Sequence, residues 1–197
     1  MAGAVTAVIL LVLGITAATG GFAADSGGPD VVPTGRPVDQ VKFSSVALSA
    51  AWERHKLDGK SHRYLVARLR VTNTSDRTVP VNDYIQSVIP LQAWGGSILQ
   101  EYKAYSGGTE TDTLQPGIPT DLTMQLTPDK GQEAATTLNL RFCAYDHDDD
   151  FFYGHKNWMR ACANWYGIFL PDKQRRANAY NTDGIAAQVN VPVKGGA

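Results

Sequence analysis

Residues 64–72 read Tyr-Leu-Val-Ala-Arg-Leu-Arg-Val-Thr, a period-2 repeat. Leu65, Ala67, Leu69 and Val71 fall on one side of it, and Arg68 and Arg70 on the other. A strand with one dry face and one wet face requires that alternation, whereas a helix would scatter the same residues around its circumference. Asn73-Thr74-Ser75-Asp76 then supplies turn chemistry. The pattern recurs at 121–127 with Leu122, Met124 and Leu126, and at 136–145 with Leu138, Leu140 and Phe142. Residues 40–50 offer an opening strand with Val41, Phe43, Val46 and Leu48. Residues 85–94 are apolar but interrupted by Pro90, which lacks a ladder N–H and so belongs at an edge or a bulge. Gly95-Gly96 reads as a turn, with 98–102 as its return strand. Gly107-Gly108 reads as a loop and Pro116-Gly117 as a turn, and 161–170 and 185–193 complete the strands. Nothing in 39–193 is long and helically periodic. The expected fold class is therefore all-β, a sandwich or barrel of antiparallel strands.

The N-terminus has a different character. No charged side chain occurs in residues 1–24, and 4–15 are almost wholly apolar. About 20 such residues in a helix span a bilayer core of about 30 Å. A secretory signal needs a shorter apolar core followed by small residues, which Ala18-Thr19-Gly20 and Gly21-Phe22-Ala23 also offer. Residues 1–24 are thus read as an N-terminal hydrophobic helix, either a transmembrane anchor or a cleaved signal peptide. The first basic residue is Arg36, so positive flanking charge does not orient the segment. Residues 25–38 are rich in Gly, Pro and Ser and read as a linker, and 39–193 as the sandwich domain. The expected location is the cell membrane, single-pass with the domain outside, or the exterior after signal cleavage.

Cys143 and Cys162 are the two cysteines of the chain. An even count in an exported domain suggests a disulfide, which would contribute about 3 kcal/mol by closing a loop of about 20 residues. Two buried thiols are the alternative. The formal net charge of -1 provides no basic field for nucleic acid.

With these strands in view, the chain resembles small immunoglobulin-like domains on exported, membrane-anchored bacterial proteins of actinobacterial type. The resemblance rests on Tyr64-Leu-Val-Ala-Arg-Leu-Arg-Val-Thr-Asn73, on Gly95-Gly96, on Leu114-Gln115-Pro116-Gly117 and on the strand at 121–127. It spans roughly residues 41–142 and implies an immunoglobulin-like antiparallel β-sandwich with an address outside the membrane. It carries over no active site, and the stretch 143–167 departs from it as an elaboration.

That elaboration holds the unusual chemistry. Asp146-His147-Asp148-Asp149-Asp150 reads as an acidic loop whose Asp146, Asp148 and Asp150 present oxygen ligands suited to Ca²⁺. An EF-hand counted from Asp146 would need Gly at 151 and Glu at 157, where Phe151 and Asn157 stand. Phe151, Phe152, Tyr153 and Trp158 lie next to it with Arg160 among them. Rings with large apolar faces and neighbouring cations suit a binding platform, and they equally suit a core. No Gly-x-Ser-x-Gly elbow or phosphate-cradling glycine motif occurs. The expectation is a non-enzymatic interaction module whose partner is a protein or a cell-envelope component. The alternatives are a structural envelope component without a discrete ligand, and an envelope hydrolase.

Overall fold

The structure, a computed structural model, describes residues 28–57, 60–93, 99–128, 131–149, 156–162 and 184–195. The hydrophobic segment 1–24 lies outside them, as does most of the strand expected at 161–170. Among the described residues no helix is long and apolar enough to cross a membrane.

The chain forms a mostly β structure of two sandwich-like layers. One layer contains β3 (Phe43–Leu57), β4 (Lys60–Asn73), β10 (Pro119–Leu126) and β7 (Leu99–Ser106), hydrogen-bonded in that order. The short β2 (Pro37–Asp39) pairs with the start of β3, and β8 (Thr109–Glu110) extends beyond β7. The other layer has β11 (Thr137–Cys143) between β6 (Val88–Pro90) and β14 (Ile185–Lys194), with β1 (Val31–Val32) parallel to β14. At its end β14 turns onto β3, where Val193 and Lys194 run parallel to Ala50 and Ala51. Two small pairs complete the set: β5 (Val79–Pro80) with β9 (Thr113–Leu114), and β12 (Tyr145–Asp149) with β13 (Lys156–Arg160). One short helix, α1 (Val81–Ile85), precedes β6.

The alternating strands face as expected. Leu65, Ala67, Leu69 and Val71 of β4 and Leu122, Met124 and Leu126 of β10 share one buried cluster with Leu138, Leu140 and Phe142 of β11. Arg68 and Arg70 lie on the wet face, where Arg68 pairs with Glu53 at 2.6 Å and Arg70 with Asp121 at 2.7 Å. Pro90 sits on β6, an edge strand, where its missing N–H breaks no ladder.

Four expectations are corrected. In β3 the register slips between Ala47 and Ser49, so Phe43, Ser45 and Ala47 point inward before the bulge and Ala50 and Trp52 after it. Of the apolar residues offered for this strand, Leu48 is the extra residue of that bulge and is 40% exposed, and Val41 is exposed in the turn before β3. Residues 98–102 do not return beside 85–94: β6 pairs with β11 and β7 with β10, so the chain crosses between layers there. Gly107 and Gly108, at φ 57° and 84°, are the tight turn of a β7–β8 hairpin, which needs both residues at positive φ. The stretch 25–38 is not linker throughout, because Val31–Val32 adds a strand to β14 and Pro37–Asp39 one to β3, with Val38 buried.

Thr120 is 1% exposed, and its hydroxyl has no hydrogen-bond partner among the described residues. A buried, unsatisfied hydroxyl costs about 1–3 kcal/mol. Thr120→Val keeps the shape and removes that cost. It is expected to raise the stability measured by urea unfolding by about 1 kcal/mol, and an unchanged midpoint would refute this account.

Candidate functional site

The region between β11 and β14 is built on one end of the sandwich. As β11 finishes, the Cys143 N–H donates to the Ser87 carbonyl at 2.9 Å. The Ala144 N–H then donates to Gly184 at 2.8 Å, the Ala161 N–H to Ala144 at 2.9 Å, and the Tyr145 N–H to Gln40 at 3.0 Å. From this base β12 and β13 leave as a separate two-stranded sheet, with Tyr145 opposite Arg160 and Asp149 opposite Lys156. The Cys143–Cys162 disulfide closes the base, its Cα atoms 5.3 Å apart, as the cysteine pair implied.

Beneath the base lies a buried polar cluster in which the protons can be placed. The Ser45 hydroxyl donates to Gln40 Oε1 at 2.5 Å, which uses its one proton. The Tyr84 hydroxyl, 2.9 Å from Ser45 Oγ, must therefore be the donor to it. Gln40 Nε2 donates to the Cys143 carbonyl at 2.8 Å and to Ser87 Oγ at 3.2 Å. The Ser87 hydroxyl donates to the Tyr84 carbonyl at 2.6 Å. The Cys143 carbonyl orients the Gln40 amide, since a flipped amide would set its oxygen against that carbonyl. Burial raises the Tyr84 pKa, the bond to Ser45 opposes the shift, and Tyr145 adds to it. The hydroxyl thus stays protonated at neutral pH.

On the outer side of the cluster, Tyr145 packs edge-to-face with Phe43, ring centres 5.3 Å apart, and its hydroxyl donates to the Asp83 carbonyl at 3.3 Å. Arg160 Nη1 donates to the Gln86 carbonyl at 2.7 Å, tying β13 to the end of α1. The Tyr145 pKa is raised by burial first and by Asp83 less, against the neighbouring Ser87 side chain and the charge of Arg160.

The acidic run expected as a loop is strand β12 over Asp146–Asp149. Asp and Asn are poor strand formers, but main-chain pairing with β13 holds them there. Asp146 is exposed and opposite Met159, and the Asp148 backbone is opposite Asn157. Asp150, Phe151, Phe152 and Tyr153 lie outside the described residues, and Trp158 is placed by its backbone on β13 opposite His147. Among the described residues no group of three or more His, Cys, Asp or Glu side chains is placed to hold a metal ion. Lys42, Tyr84, Ser45 and Gln40, which the sequence reading did not single out, gather at the same base. Their signal is non-local, since nothing near Gln40 in the chain announces residue 143.

A hollow of about 350 Å³ lies beside β7, lined by Tyr102, Lys103, Ala104, Glu110, Thr111 and Asp112. It is an open surface feature, and Lys103 there is paired with Glu101 at 3.4 Å.

No protein-family model matches the chain, and no curated protein matches it. Among solved structures it is similar to an uncharacterized beta-sandwich protein from Clostridium difficile 630. The identity is 11% and the TM-score 0.35, over 70% of this chain and 97% of that one. That likeness is too distant to bear on function.

Proposed function

We propose that this chain is an immunoglobulin-like interaction module working outside a membrane, to which its N-terminal hydrophobic segment tethers it. The observation that carries the reading is the β12–β13 hairpin: a separate small sheet, placed in the chain between β11 and β14 and clipped at its base by Cys143–Cys162. Binding is commonly placed on such excursions, because a rigid scaffold positions them at little entropic cost.

The strand order supports the immunoglobulin-like part. Taking β3, β4, β6, β7, β10, β11 and β14 as successive letters A to G, one layer reads A-B-E-D and the other C-F-G. That order matches the constant-type arrangement, in which the hairpin would fall between F and G, at an end where such sandwiches carry recognition loops. The external address is supported by the uncharged segment 1–24 and by a disulfide, which persists in oxidising compartments. The partner is a protein or another cell-envelope component, met by Phe151, Phe152, Tyr153, Trp158 and Arg160. The role is binding rather than catalysis.

The test is capture of solubilised envelope material by the full chain in detergent, compared with a Phe152→Ala/Trp158→Ala variant. The variant is expected to lose most of the capture while keeping its thermal midpoint, because a few aromatic anchors dominate such interfaces. Equal capture by the two proteins would overturn the reading.

A further inference from the structure

Lys42 occupies the short reversal between β2 and β3. Val41, just before it, has φ of 72°, a left-handed conformation that a β-branched residue rarely adopts. Five hydrogen bonds hold the turn in place: Gln40 N–H to the Phe43 carbonyl at 2.8 Å, Val41 N–H to Asp39 Oδ1 at 2.8 Å, Thr74 Oγ1 to the Val41 carbonyl at 2.8 Å, Thr74 N–H to the Lys42 carbonyl at 3.0 Å and Tyr145 N–H to the Gln40 carbonyl at 3.0 Å. The turn sets the Lys42 ammonium over two aromatic faces, 5.4 Å from the Phe43 ring centre and 5.2 Å from that of Tyr145.

A half-buried ammonium has three N–H donors to satisfy. Among the described residues no acceptor lies within hydrogen-bond reach of Lys42 Nζ. Burial lowers its pKa, Asp83 draws it partly back, and Arg160 lowers it further. Arg160 stands directly across from Tyr145, held by the bond to Gln86, with further N–H donors to offer. Asp83 is the third charge near Lys42, but it forms no ion pair with it.

We infer that Lys42 and Arg160, both neighbours of Tyr145 at the base of the hairpin, form a receptor for a carboxylate presented by a protein partner. The inference rests on the interaction-module reading and gives the partner's chemistry. A carboxylate would supply the acceptors that no described residue offers Lys42, at a place where the desolvation cost of the cation is already met by the fold. Charge matching selects a carboxylate over a phosphate. Two cations less the one carboxylate of Asp83 leave one unit of positive charge, and the net charge of -1 adds no long-range attraction for polyanions. Val41, 57% exposed beside Lys42, offers an apolar contact next to the acidic group.

The experiment is a titration of the full chain with poly-L-glutamate at low salt, followed by side-chain NMR of the Lys42 and Arg160 nitrogens, with inorganic phosphate as a parallel arm. Saturable shifts at both nitrogens are expected with poly-L-glutamate. Lys42→Gln is expected to weaken binding about tenfold and Lys42→Arg to restore most of it, with Arg160→Gln weakening it similarly. Unfolding midpoints of each variant separate lost binding from lost structure. Shifts that do not saturate, wild-type affinity in Lys42→Gln, or phosphate binding as tight as poly-L-glutamate would each overturn the carboxylate receptor. Envelope capture separates the two readings. Capture lost in Phe152→Ala/Trp158→Ala but kept in Lys42→Gln defeats the receptor alone, whereas no capture by wild type defeats the module and leaves the poly-L-glutamate result to stand on its own.

Discussion

Gly184→Ala is expected to destabilise the protein by about 3–5 kcal/mol, far beyond the usual cost of adding one methyl group. Two effects combine at this residue. Its φ of 72° is in the left-handed region, where a side chain costs about 1–2 kcal/mol. A methyl there would also overlap the Ala161 carbonyl and the Cys162 nitrogen, which are backbone atoms and cannot rotate away. The Gly184 carbonyl meanwhile accepts the Ala144 N–H, so the glycine is held against the disulfide-closed base from two directions. Gly117→Ala is the control. Gly117 has a similar φ of 70°, but a methyl there meets nothing within 4 Å. It is expected to lose only the conformational term, about 1–2 kcal/mol. Guanidinium unfolding of both variants measures the difference, and equal losses would show that close backbone approach at Gly184 adds nothing.

What could be read from the sequence follows from where each signal resides. The faces of β4, β10 and β11 were legible because each has one dry side, so burial writes a period of 2 into adjacent residues. Pro90 on an edge and a bonded Cys143–Cys162 pair were legible because each depends on local chemistry. The crossing from β6 to β7 was not: Gly95-Gly96 announces a reversal but cannot say which layer the chain rejoins, since that is decided by β10 and β11 far downstream. The bulge at Leu48 was hidden for a related reason. One extra residue exchanges the two faces, and the sequence of β3 then reads as a weak alternation rather than as two good ones in opposite phase. The acidic run misled in the other direction. Asp-rich composition argues for a loop, yet β12 is held by its partner strand and by the closed base rather than by its own propensity. The base of the candidate site was the least legible part, because Lys42, Tyr84, Tyr145 and Arg160 come from four separate stretches of chain.

Gln40 is the sharpest example, and it carries the second large expectation. It is 0% exposed and polar, at a position where the sequence offers only a strand start. Its side chain accepts from Ser45 and donates to Ser87 and Cys143, while its own carbonyl accepts the Tyr145 N–H. It therefore joins the turn that presents Lys42 to the strand that begins the hairpin. Gln40→Ala is expected to cost about 3–5 kcal/mol, combining a cavity with an unsatisfied Cys143 carbonyl. Gln40→Met fills nearly the same volume and removes only the polar contacts, so it is expected to lose about 2 kcal/mol. The gap between them measures packing, and the loss in Gln40→Met measures the polar cluster. Amide hydrogen exchange adds a spatial readout. In Gln40→Met, protection is expected to fall at Tyr145 and Ala161 at the hairpin base while Leu69 and Leu122 in the core of the other layer keep theirs. A uniform fall across both layers would mean that Gln40 supports the whole sandwich. Its place between the Lys42 turn and the hairpin would then be incidental to how that end of the molecule is held.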